Sequence, residues 1–132
     1  MKKLFALVAL LTFLTAGSIA QGAQLPVEGT WGTSFHNNGF DFDMSFTLQN
    51  QTMTTTNTCS FRGQTLSVSV NVPARYDGSS IQVLGNAQNS VSENGLNCNV
   101  SVEADTMNYK IIQNTIVLSR PGQAEEIVFT RR

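Results

Sequence analysis

Nine consecutive residues alternate without a break: Phe40, Phe42, Met44, Phe46 and Leu48 occupy one set of positions, and Asp41, Asp43, Ser45 and Thr47 the other. A helix, with a period of 3.6, scatters such a set around its axis, whereas a strand at period two places all five apolar side chains on one face. Gln64 to Val72 repeats the pattern, with Leu66, Val68, Val70 and Val72 facing one way and Thr65, Ser67, Ser69 and Asn71 the other. Met53 to Phe61 is rich in β-branched threonine and turns Met53, Thr55, Asn57, Cys59 and Phe61 to a common side. Further strands are expected at 29–35, 81–85, 96–104, 107–113, 115–120 and 125–131.

Turn chemistry separates these segments: Asn37-Asn38-Gly39, Asn50-Gln51, Arg62-Gly63, Asp77-Gly78, Asn94-Gly95, Asn114 and Pro121-Gly122. Apolar residues nowhere recur at helical spacing for three turns. The chain is therefore expected to be all-β, an antiparallel up-and-down barrel of about eight strands, with a β-sandwich as the alternative. The clean alternation implies one dry face and one wet face. The polar face is built from Thr, Ser, Asn and Asp, which opposes an outer-membrane barrel with its apolar band toward lipid.

The first residues follow a different grammar. Met1-Lys2-Lys3 is a basic leader, Leu4–Leu14 an apolar stretch, and Ser18-Ile19-Ala20 a run of small residues suited to a signal peptidase. Residues 1–20 are thus expected to be a bacterial Sec-type signal peptide and 21–132 a single β-barrel domain. Removing Lys2 and Lys3 reduces eight Lys and Arg to six against nine Asp and Glu, a net charge of −3. A mildly acidic domain has no basic stripe for nucleic acid, and no later apolar run reaches the ~20 residues of a spanning helix. Cys59 is the first cysteine after the leader, so no lipid anchor is expected at the cleavage point. The expected location is the periplasm or the medium. In such oxidising surroundings Cys59 and Cys98 are read as one disulfide. Closing a loop of ~40 residues would contribute about 4 kcal/mol on the chain-entropy account.

Catalytic chemistry finds little support. His36 is the sole histidine and falls in an apparent turn, Phe35-His36-Asn37-Asn38-Gly39. Nucleophilic catalysis needs a base beside the nucleophile. The carboxylate pairs Asp41/Asp43 and Glu103/Asp105 lie opposite apolar rows and are read as solvated. No phosphate loop, dinucleotide fingerprint or zinc spacing occurs. The expectation is a non-enzyme with no cofactor and no metal.

Trp31, in Gly29-Thr30-Trp31, opens the first strand, and Arg131 ends a row shared with Ile127 and Phe129. Barrel closure brings first and last strands together. Arg131 is therefore expected to lay its guanidinium on the Trp31 ring and its fork on nearby carbonyls, plugging one barrel end. Gly29, Trp31 and Arg131 resemble the calycin group: lipocalins, fatty-acid-binding proteins, avidins and small bacterial barrel inhibitors. Those families open with a Gly-x-Trp strand, and many place an arginine against its tryptophan. The resemblance implies an exported, lipocalin-like binding barrel.

Two binding surfaces follow. The interior, with Phe42, Met44, Phe46, Val68, Val70 and Tyr109 as apolar lining and Thr55 and Asn57 as polar handles, could hold a small apolar or amphipathic ligand, or the same residues could fill it. The rim loops, His36–Gly39, Ala74–Gly78, Ser90–Gly95 and Arg120–Ala124, with Arg75 and Tyr76 as anchors, or the segment Gln21–Glu28, would suit an inhibitor of a protease or lysozyme. A structural envelope component is the third reading. A monomer is expected.

Overall fold

The computed structural model describes residues 25–132; the expected signal segment lies outside them. Ten strands follow in order: β1 (Gly29–Asn37), β2 (Phe40–Gln49), β3 (Thr52–Phe61), β4 (Gln64–Tyr76), β5 (Ser80–Val83), β6 (Ala87–Glu93), β7 (Leu96–Val102), β8 (Asp105–Ile112), β9 (Thr115–Ser119) and β10 (Glu126–Arg131). Eight of them close an antiparallel barrel in the order β1-β10-β9-β8-β5-β4-β3-β2, and β6 and β7 form a separate hairpin. Among the described residues no helix is long and apolar enough to cross a membrane.

Three of the tight turns end on a glycine at positive φ, where the missing Cβ removes the strain. Asn38-Gly39, Arg62-Gly63 and Asn94-Gly95 each place two successive residues there, the hairpin geometry that matches strand twist.

The barrel has two unlike ends. At the closed end, Trp31, Leu48, Ile81 and Ile116 are almost entirely buried with Phe46, Leu118 and Phe129, and Phe46 meets Phe129 edge-on at 5.0 Å across the interior. At the other end β1 to β4 run on beyond their neighbours. β4 has thirteen residues, but β5 pairs only with Ala74–Tyr76. The exposed inner face of β3 and β4 is covered by the β6–β7 hairpin, which builds a second core from Cys59, Leu66, Val68, Val70, Leu96, Cys98 and Val100. A Cys59–Cys98 disulfide, with Cα atoms 5.7 Å apart, fastens that hairpin to β3. Side chains finish the job: Asn89 Nδ2 donates to the Ser69 carbonyl, Gln64 Nε2 to that of Glu93, and Asn57 Nδ2 to that of Asn99.

Three expectations need correction. Ala87–Glu93 is a strand, so only Asn94-Gly95 remains of the expected Ser90–Gly95 loop. Its alternation is weak because one edge leans on β4 through polar groups. His36 belongs to β1, paired opposite Asp41. Arg75 and Tyr76 belong to β4, opposite Gln82 and Ile81, because the strand continues through Pro73.

Candidate functional site

The plug at the closed end is built from both chain ends. Trp31 Nε1 donates to the Val27 carbonyl at 2.8 Å. The Arg131 guanidinium carbon lies 4.1 Å from the Trp31 ring centre, and its nitrogens donate to the carbonyls of Glu28 and Pro26. The Gly-x-Trp glycine has a local cause: Gly29 sits at φ +116, and a Cβ there would stand 3.1 Å from Arg131 Nη1, so the position excludes ordinary side chains. Tyr76 belongs to this end too. Its hydroxyl donates to Glu28 Oε2 at 2.7 Å and accepts from the Gln51 amide; burial, with the Glu28 carboxylate, pushes the phenol pKa up. Of the expected rim surface, Arg75 and Tyr76 therefore stand at the end opposite His36–Gly39, Asn94-Gly95 and the β9–β10 turn. Only Arg75 of the pair is exposed.

Next to the β4–β5 turn, Tyr109 donates its hydroxyl to the Asp77 carbonyl, and burial followed by the Asp77 charge raises its pKa. Asp77 accepts from the amides of Ser79 and Ser80, which hold its carboxyl below the usual range.

The flared end differs in kind. The last β1–β10 pairs are Trp31 with Arg131 and Gly32 with Thr130. Continued in register, Phe35 would stand opposite Ile127, but the strands no longer pair there. Both residues share the inward face of their strands, with Trp31 and with Phe129 respectively, yet Phe35 is 49% exposed and Ile127 52%. From Phe35 a stacked aromatic row runs along the inner face: Phe35 to Phe42 at 5.0 Å, Phe42 to Phe40 at 6.0 Å, Phe40 to Phe61 at 4.3 Å. Arg62 lies over the Phe61 ring at its end. The hairpin covers the β3–β4 half of this surface and its core reaches Phe40 and Phe42 of β2, which leaves Phe35 on β1 and Ile127 on β10 exposed as an apolar mouth.

The expected pocket residues are thus divided. Phe46 and Tyr109 sit in the closed-end core, and Val68 and Val70 lie beneath the hairpin. Phe42, Met44, Thr55 and Asn57 remain half-buried. Asn57, paired between Met44 and Val68, has a buried Oδ1 with no hydrogen-bond partner. Its Nδ2 donates to the Asn99 carbonyl of β7, so the side chain lies beneath the hairpin. Phe35 and Ile127 were not singled out from sequence. Alternation gives the side a residue occupies, and these two are exposed where β1 and β10 no longer pair.

The outer face of β1 and β2 at this end has polar chemistry around a hollow of 370 Å³. Ser34 Oγ donates to Asp43, and His36 Nδ1 bonds Asp41, both at 2.6 Å. Arg132 grips both oxygens of Asp43. It reaches them by lying across Gly32, where a Cβ would collide with its Nε, Cζ and Cδ. Arg132 first, then Ser34, holds the Asp43 carboxyl below its usual range. Asp43 is therefore ion-paired, where full solvation was expected; Asp105 likewise pairs with Arg120 at 2.7 Å. Ser34 and His36 thus each bond an aspartate of β2. Among the described residues no three His, Cys, Asp or Glu side chains come together as a metal-binding group. In comparisons with protein-family models, curated proteins and solved structures, nothing matches this chain.

Proposed function

We propose that the chain is an exported, calycin-like binding protein, without catalytic activity, that takes the apolar part of a small amphipathic ligand into the flared barrel mouth. The observation that carries this reading is the exposure of inward-facing Phe35 and Ile127 where the β1–β10 seam opens. Apolar side chains on the dry face of a barrel are normally covered, and a grouped exception marks a contact surface. Stacked rings offer flat apolar area at low conformational cost. The packed core beneath, closed by Trp31 and Arg131, supplies a rigid floor.

The test uses N-phenylnaphthylamine, a dye that brightens in apolar surroundings. Saturable brightening that is lost in Phe35→Ala and Phe42→Ala, with the fold retained by circular dichroism, is the expected result. Native mass spectrometry of protein purified from a bacterial periplasm would then show a retained mass of a few hundred daltons. No brightening in the wild type, or equal brightening in both variants, would overturn the reading.

A further inference from the structure

The four-stranded extension of β1 to β4 has two lateral edges, and they are treated differently. The β4 edge is covered by the disulfide-held hairpin, where Asn89 Nδ2 donates to the Ser69 carbonyl and Gln64 Nε2 to that of Glu93. The β1 edge is left open from Thr33 onward, because pairing with β10 stops at Gly32 and Thr130. The Arg132 amide donates to the Thr30 carbonyl, so the even-numbered residues of β1 aim their backbone groups toward β10. Past Gly32, the next such residues are Ser34 and His36. Their amides and carbonyls face outward from the sheet beside exposed Phe35. Folded proteins usually block a free edge with charge, proline or a covering element. Here the chain covers one edge and leaves its twin bare next to an apolar mouth.

We propose that the Ser34–His36 edge of β1 binds an extended peptide as an added strand, with the peptide's apolar side chains at alternate positions entering the mouth against Phe35 and Ile127. Main-chain hydrogen bonds would supply affinity and the mouth would select side chains, the logic of strand addition. Charge sets the partner's other face. Glu125, just before β10, and Glu126, its first residue, are exposed and form none of the ion pairs seen among the described residues. A peptide alternating apolar residues with lysine or arginine fits both features. The inference rests on the mouth being the binding site, and specifies the ligand as a basic, alternating peptide.

The test is fluorescence anisotropy with a labelled peptide alternating lysine and valine, read beside amide hydrogen exchange. Saturable binding with a Kd on the order of micromolar, and slowed exchange at Ser34 and His36 alone in β1, are expected. Ser34→Pro removes one edge donor while an edge strand tolerates proline; it should weaken the peptide at least ~10-fold and leave dye binding at Phe35 intact. Glu125→Lys with Glu126→Lys should weaken it without touching the edge. Equal binding by Ser34→Pro, or no exchange protection at Ser34 and His36, overturns the proposal, as does protection of the same amides by self-association without peptide. Failure of dye binding in the wild type would instead count against the mouth itself.

Discussion

Arg131 stacks on Trp31 while its fork holds the carbonyls of Pro26 and Glu28, so one side chain joins the last strand to the first and to the segment before it. The cation–π contact and the hydrogen bonds each contribute about 1 kcal/mol or more at a partly desolvated site. Arg131→Ala should therefore destabilise the fold by about 2–3 kcal/mol. Trp31 is the only tryptophan, so its emission reports the plug directly. Arg131→Lys keeps the charge but not the planar fork and should recover less than half the loss. Unchanged emission and unfolding midpoint in Arg131→Ala would refute the plug's contribution.

The disulfide should act on one half of the molecule. Cys59 and Cys98 lie in the second core, separate from the Trp31 cluster, and the hairpin they hold is paired to no barrel strand. Cys59→Ala with Cys98→Ala should lower stability by about 4 kcal/mol at most, and β6 and β7 should lose hydrogen-exchange protection before β2, β3 and β9 do. Trp31 emission should stay native while the hairpin opens. Simultaneous loss across all strands would show that the two cores unfold as one.

Asp43 gives the fold an acid-sensitive contact. Its folded pKa is depressed, chiefly by Arg132, so its contribution is complete above the ordinary carboxylate range and is lost as pH falls through the lower folded value. The pair is exposed, which limits the effect to about 1 kcal/mol. Asp43→Asn should be less stable than the wild type at neutral pH and equal to it in strong acid. Gly32→Ala should reproduce the loss, because its Cβ evicts the Arg132 side chain. A stability difference that persists unchanged at low pH would exclude the ion pair as its source.

What the sequence disclosed followed from how local each signal is. The alternation of Phe40–Leu48 and Gln64–Val72 specifies strand and face, and the Asn-Gly and Arg-Gly turns specify pairing, so the eight-stranded barrel was legible. β6 was not: Ala87–Glu93 is mostly Ser, Asn and Gln, and it becomes a strand through pairing with β7 and polar contacts to β4. The mouth was illegible for a related reason. Alternation tells which side of a strand Phe35 occupies, but its exposure depends on how far β10 accompanies β1, a property of two segments about a hundred residues apart.

That distinction between inward and covered yields the sharpest mutational contrast. Phe35 and Phe46 share one residue type and an inward orientation, but Phe46 is buried against Phe129 and Phe35 is half exposed. Phe46→Ala should leave a void in the closed-end core and cost about 3–5 kcal/mol. Phe35→Ala removes a ring that solvent already reaches, so it should cost less than about 1 kcal/mol while abolishing dye binding. Paired thermal unfolding and dye titration of the two variants measure both quantities. Comparable destabilisation by the two substitutions would mean that the mouth is closed in solution and that Phe35 belongs to the core.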